Sequence, residues 1–286
     1  INDPYLSDMG QWAYHSFNNL AYANPHSDDD FHRPRYLKNI LTVAKLEKDS
    51  KPYVPIQDVW INDVQELTAR SSNGFYLATH GGHNAESHNH NDVGDFILYA
   101  NDEPLVIDAG RGNYTAKTFS PQRYELWFTQ SQYHNLPIIN GFGQLAGRNY
   151  SAKNVKNTID AKQATVTMNL ADAYDSAAAI DYWNRTVTLN RVKNCLEIND
   201  KYALQKELTS YQQIFMTVCA VDISVPGKIV LTTPKQYSYT IQYDESTWKP
   251  TIETPSIEGA EYSNLKTKWD GKSIQRIVLN CKKLQK

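Results

Sequence analysis

Four of the eight histidines, His80, His83, His88 and His90, fall in one short stretch of the chain. Within it SHNHND, residues 87–92, sets His88 and His90 two apart and Asp92 two further on, with Glu86 just upstream. Imidazole and carboxylate together suit two kinds of chemistry: proton transfer near neutral pH and the binding of a divalent metal. In an extended strand, side chains two residues apart share a face. If this stretch is extended, the spacing predicts that His88 and His90 project together.

Two further residues complete a candidate ligand set. Asp108 ends the apolar run PLVIDAG, and an acidic residue closing a buried strand needs a partner or a metal. His134, in SQYHNLPIING, stands just before another strand-like run. His90, Asp108 and His134 would make the two-histidine, one-carboxylate arrangement common for zinc, with a fourth position for water or another ligand. The three come from separate segments, so the spacing is less diagnostic than HExxH on one helix. Asp92 is an alternative ligand to Asp108, or the cap of a turn with Asn91. Spacing alone also leaves open that these are loop histidines satisfied by solvent.

The elements that must position these residues read as β-structure. From Val59 onward, GFYLATH, DFILYAN, PLVIDAG, LPIING, ATVTMNL, NRTVTLN, CLEIND, QQIFMTVCAV, KIVLTT, YSYTIQY and IQRIVLN are short β-branched or aromatic runs separated by turn residues. With no helical pattern between them, they predict an all-β fold: a large antiparallel β-sandwich of several sheets. The N-terminal segment differs. DMGQWAYHSFNNLAYA has Trp12, Phe17 and Leu20 near one helical face, and a second short helix is expected around Tyr36 to Leu46. KPYVPIQDV then reads as a Pro-containing connector.

Bulk properties remove some function classes. With 29 basic and 31 acidic residues and no long basic block, the electrostatic footprint of a nucleic-acid binder is missing. No apolar run approaches the roughly 20 residues of a membrane span. Cys195, Cys219 and Cys281 lie far apart in apolar contexts without CxxC spacing, and are expected to be buried free thiols. The 19 tyrosines suit sugar stacking and ordinary β-sheets alike. The chain opens on Ile1 with no hydrophobic leader, as expected of a mature chain or a piece of a longer one.

GGHNAESHNHNDVGDFILYANDEPLVIDAG, continued by YTAKTFSPQRYELWFTQSQYHNLPIING, resembles the heparinase II/III family of polysaccharide lyases. The resemblance is specific across about residues 70 to 145. It implies a β-sandwich domain over residues 59–286 and, over residues 1–58, the helical tail and linker of an α/α toroid that is otherwise absent. It implies one structural zinc ion held by His90, Asp108 and His134, with His88 at the substrate. The implied reaction is β-elimination on a uronic-acid polysaccharide in the periplasm or outside the cell. There a base removes the C5 proton, the carboxylate is neutralised, and an acid protonates the leaving 4-oxygen. His88 is the candidate for one of these tasks. Tyr114 and Tyr124 are candidate hydroxyl partners, and Arg111 and Arg123 candidate ligands for the acidic sugar. Two rivals need no toroid: a non-catalytic carbohydrate-binding module, and a structural β domain whose metal only holds loops together.

Overall fold

The computed structural model describes residues 4–17 and 54–283. The chain divides into two compact units, Ile1–Ile56 and Gln57–Lys286. In the first, α1 (Pro4–Phe17) is a helix that opens on proline, whose missing N–H has no intrahelical partner to lose at that position. Leu20 and the second helix expected around Tyr36 to Leu46 lie outside the described residues.

The second unit is built of antiparallel sheets, as the strand pattern predicts. Five strands pair in the order β1-β2-β3-β5-β6: β1 (Asp58–Ile61), β2 (Glu66–Arg70), β3 (Phe75–His80), β5 (Phe96–Ala100) and β6 (Glu103–Val106). A second sheet runs β12-β11-β10-β9: β9 (Lys153–Ile159), β10 (Gln163–Asn169), β11 (Ile180–Asn190) and β12 (Cys195–Leu204). A third runs β17-β18-β13-β7: β7 (Pro137–Ile139), β13 (Tyr211–Thr217), β17 (Trp248–Glu253) and β18 (Gln275–Cys281). Two small sheets complete it. One joins β14 (Ala220–Asp222), β15 (Lys228–Thr232) and β16 (Ser238–Gln242), and the other pairs β4 (His83–Asn84) with β8 (Gly147–Ser151).

Alternation sets the faces. In β3 and β5, Leu77 pairs with Leu98 and Thr79 with Phe96, so one face of the pair is buried. Asn101 (φ +51°) and Asp102 (φ +63°) form the two-residue turn from β5 to β6. Asn and Asp tolerate the left-handed region that such a hairpin needs. The main core packs Leu67, Leu77 and Phe96 of the first sheet against Val166, Met168, Trp183 and Val187 of the second. A second core cluster lies on the opposite face of β13 and β18. There Ile214, Met216 and Val278 meet Trp127, Phe128 and Trp269, the last just after α2 (Ser263–Lys268). Strand β13 is therefore buried on both faces, which is why QQIFMTVCAV is nearly continuous in apolar residues.

Several elements were not legible in advance. KNVKNTI forms β9, an exposed edge strand whose polar face hides its alternation. Of the three free cysteines only Cys219 is buried; Cys195 and Cys281 are half-buried, because both stand at the ends of their strands.

A buried ion pair joins the neighbouring strands β11 and β12. Arg185 is fully buried and opposite Asp200 in the β11–β12 register. Its Nε and Nη2 donate to the two oxygens of Asp200 at 2.9 and 2.7 Å. Nη2 also donates to Gln213 Oε1 at 2.6 Å, and Nη1 to the carbonyl of Asn135 at 2.9 Å. Arg185→Met is expected to strand Asp200 without its partner and lower stability by about 3–5 kcal/mol, read as a shift of the urea midpoint. Adding Asp200→Leu to that variant should recover part of the loss. An unchanged midpoint in Arg185→Met would mean the pair does not stabilise the fold.

Candidate functional site

The site is made where three irregular segments meet beside the first sheet: the loop from β4 to β5, the residues after β6, and a run of 3-10 turns from Lys117 to Tyr133. Four side chains converge there. His90, Asp92, Asp108 and His134 each offer a ligand atom, and these atoms all lie within 4.8 Å of one another. His90 and His134 are buried, at 8% and 1% exposure, while Asp92 and Asp108 are half-buried. The structure thus brings together the predicted set His90, Asp108 and His134, with the alternative ligand Asp92 beside it.

The distances fit a metal. His90 Nδ1 and His134 Nε2 are 3.3 Å apart, and His134 Nε2 is 3.8 Å from Asp108 Oδ2. Two nitrogens bound at about 2.0–2.1 Å to one tetrahedral ion would lie about 3.3 Å apart. Hydrogen bonds also orient two of the four candidate ligands. His134 Nδ1 donates to the carbonyl of Gln130 at 2.9 Å, which leaves Nε2 free to turn toward the cluster. Asp108 Oδ1 accepts from the N–H of Gly110, which aims Oδ2 at His134.

The electrostatics reinforce this. Burial lowers the pKa of His90, with Asp108 pulling the other way. Burial also opposes charge on His134, but the carboxylates of Asp108, Asp95 and Asp92 outweigh it and hold His134 above the usual imidazole range. Asp108 lies below the usual carboxylate range: burial works against this, and His134, His90 and the Gly110 N–H overcome it. Burial pushes Asp95 up to about 6. The carboxylates therefore favour positive charge at His134, which a proton or a bound cation would supply equally.

The extended reading of SHNHND is corrected by the structure. Residues 86–89 turn, with Asn89 N donating to the carbonyl of Glu86 at 3.3 Å. His88 adopts a left-handed conformation (φ +62°), which costs a non-glycine residue about 1–2 kcal/mol. That turn breaks the alternation, so His88 is exposed while His90 is buried. The two histidines do not share a face.

His88 instead meets Tyr114. Its Nδ1 is 3.1 Å from Tyr114 Oη, and the rings stack with centroids 5.6 Å apart. Arg111 lies over the phenol of this pair, its guanidinium carbon 4.9 Å from the Tyr114 ring centre. Arg123 is engaged within the protein: it donates to the carbonyls of Asn89 and Thr118, and so braces the His88 turn against the 3-10 run. Tyr124 is half-buried, with the Arg123 guanidinium carbon 6.0 Å from its ring centre. His88, Tyr114 and Arg111 form one exposed group, and Arg123 with Tyr124 a second.

Sequence reasoning did not single out the residues that hold the site. Asn135 is fully buried and uses every polar group: N donates to Asp95 Oδ1 at 2.7 Å, Nδ2 to the carbonyls of Phe96 and Ile107, and Oδ1 accepts from Met216 N at 2.7 Å. Gln144 pairs with both backbone groups of Val93 and accepts from Asn84 Nδ2. The only advance signal was the density of Asn and Gln around HNHND and YHN.

The family of domains described as heparinase II/III-like, C-terminal, matches residues 70–280. Among solved structures, the heparan sulfate lyase HepC from Pedobacter heparinus is similar with a TM-score of 0.64 at 13% identity, over 99% of this chain and 40% of that chain. A heparinase III structure is similar with a TM-score of 0.61 at 14% identity, over 82% of this chain and 36% of that one. No curated protein sequence matches. The likeness to these structures is one of fold, and this chain spans about 40% of the length of the lyase structure.

The cluster predicts one equivalent of divalent metal per chain. Elemental analysis of the purified chain should find it, and His134→Ala should lose it. Chelation should lower the Tm of the native chain, and leave that of His134→Ala unchanged. A native chain without metal after supplementation, with the fold intact by circular dichroism, would remove the site.

Proposed function

Because the chain belongs to the heparinase II/III-like, C-terminal family, we propose that it is the β domain of a polysaccharide lyase that cleaves uronic-acid polysaccharide by β-elimination. The observation that carries this reading is the exposed His88–Tyr114 pair, 3.1 Å apart, standing on a loop whose next histidine is buried in the metal-type cluster. The neighbouring structures, a heparan sulfate lyase and a heparinase III, support an acidic glycan as substrate. The chain covers 40% of the first of them, which supports an α/α toroid as the other wall of the catalytic cleft. A periplasmic or secreted location goes with such a substrate.

Each residue has a separate task. The sugar docks with its C5 carboxylate toward Arg111, whose charge stabilises the enolate-like state as the C5 proton leaves. His88 and Tyr114 face the sugar as a hydrogen-bonded imidazole–phenol pair. One accepts the C5 proton, and the other donates a proton to the 4-oxygen. The C5–H electron pair forms the C4–C5 double bond as the C4–O bond breaks, so the product carries an unsaturated uronate. Zinc is the ion assigned to His90, Asp108 and His134, with Asp92 alongside, and when bound it would chiefly tie the three loops into a rigid wall. Arg123 holds the His88 turn in register by its contact with Asn89, and Tyr124 lines the same wall.

The test uses the polypeptide that carries this chain together with a toroid, assayed for the ultraviolet absorbance of the unsaturated uronate. His88→Ala should lower kcat by about 10²–10⁴-fold while metal content stays at the native level. Tyr114→Phe should also lower kcat. A product without the double bond would indicate hydrolysis and refute elimination, and full activity in His88→Ala would remove His88 from the reaction.

A further inference from the structure

Phe119 has the most exposed aromatic ring among the described residues, at 67%. At that exposure the ring adds little apolar burial to the fold. Its place is nonetheless fixed. Phe119 ends a short 3-10 turn, Lys117–Phe119, whose middle residue Thr118 is buried. Thr118 Oγ1 accepts from the N–H of Thr115 at 3.0 Å and donates to the carbonyl of Asn113 at 3.4 Å. Ser120 Oγ closes the turn by donating to the carbonyl of Lys117 at 2.9 Å. The buried Thr118 therefore anchors the turn, and its neighbour Phe119 is left facing outward.

The ring is contiguous with the His88–Tyr114 pair. Its centroid is 5.3 Å from that of Tyr114, with the planes tilted by 58°. His88 stacks on the same phenol at 5.6 Å, so His88, Tyr114 and Phe119 form one continuous exposed surface. A single guanidinium ties its two outer members together. Arg123 Nη2 donates to the carbonyl of Asn89, next to His88, and Nη1 to the carbonyl of Thr118, next to Phe119. The separation of imidazole and phenyl ring is thus set by the fold and not by either turn alone.

The setting of the ring selects its occupant. A stable protein–protein interface buries about 1,000 Å² or more. The apolar surface here is far smaller: Lys117 beside the ring is paired with Glu125 at 2.9 Å, and Gln122 is exposed. A pyranose fits such a setting, because its C–H face covers an aromatic ring while its hydroxyls stay among polar groups. The polysaccharide assigned to His88, Tyr114 and Arg111 supplies that pyranose, since a polymer held at its reacting sugar continues beyond it. Resting on the lyase reading above, we propose that Phe119 is the platform for the sugar next to the one that loses its C5 proton. It is a binding residue, which sets affinity for the chain and takes no part in proton transfer.

The test uses the toroid-carrying polypeptide with heparan sulfate, hyaluronan and alginate as probes. For the polymer that is cleaved, Phe119→Ala should raise KM by about tenfold and hold kcat within about twofold. Phe119→Trp should keep the native KM. The Tm of Phe119→Ala should match the native value, because the ring is exposed. A second measurement needs no turnover: calorimetric titration of the His88→Ala variant with hexasaccharides of the same polymers. Adding Phe119→Ala to that variant should weaken the tightest of them by about tenfold. Unchanged KM and unchanged affinity would overturn the platform, as would binding of none of the hexasaccharides. A fall in kcat at native KM would overturn it in favour of a support for the Tyr114 phenol. A native KM with a changed oligomeric mass by light scattering would overturn it in favour of a protein contact. Failure of the lyase reading looks different: no polymer yields the unsaturated uronate, while the titration still reports on Phe119.

Discussion

The buried guanidinium of Arg185 is the constraint on which both the sandwich and the candidate site depend. A charge without water must be fully paired, and Arg185 draws its partners from four directions: Asp200 on β12, Gln213 on β13, and the carbonyls of Asn135 and Gly94. Two of these partners flank the candidate site. Asn135 follows His134 directly, and Gly94 precedes Asp95, whose carboxylate accepts from Asn135. The demand for satisfaction in the core thus sets the position of the loops that carry the candidate ligands. A buried network of this kind is stabilising only when every member is paired, which explains why Asn135 leaves no polar group unused.

The same demand separates the two histidines of SHNHND. His90 goes inward, where Phe128 packs near its ring and His134 faces its Nδ1. His88 goes outward to Tyr114. The left-handed backbone at His88 is a local strain, and Arg123 offsets it by holding the Asn89 carbonyl across from the 3-10 run. One loop can therefore be anchored by a metal-type cluster at one residue and present a titratable group to solvent two residues earlier. The buried side and the exposed side are neighbours in sequence but not in environment.

The His88 face and the seam between β12 and β16 differ in the same physical terms. Around His88 the exposed groups are imidazole, phenol and guanidinium, which answer to charge. Along β12 and β16 the inward face carries aromatic and aliphatic side chains such as Tyr202, Tyr239 and Ile241, while Asn199, Thr240 and Gln242 stand on the outward face. The difference follows from topology. The first surface is made of loops and 3-10 turns, where polar side chains have backbone groups to satisfy. The second is the open seam of a sandwich, where inward-facing residues of two edge strands are left half-covered.

By itself the sequence determined the strands of the central sheets, because period-two alternation in FYLATH, FILYA and QATVTMN has only one low-energy reading. It also brought His90, Asp108 and His134 forward as a candidate ligand set, but spacing alone left solvated loop histidines open, and it was the resemblance to the heparinase II/III family that implied a metal there. Only the tertiary structure decided how they meet. The face of His88 depended on a backbone turn at φ +62°, which no pattern of side chains encodes. The roles of Asn135, Gln144 and Arg185 depended on partners far away in the chain, such as Met216 for Asn135 and Asp200 for Arg185. Hydrophobic periodicity is a local signal and survives in the sequence. The pairing of buried polar groups is a property of the packed fold, and it exists only once distant segments have been brought within hydrogen-bond reach.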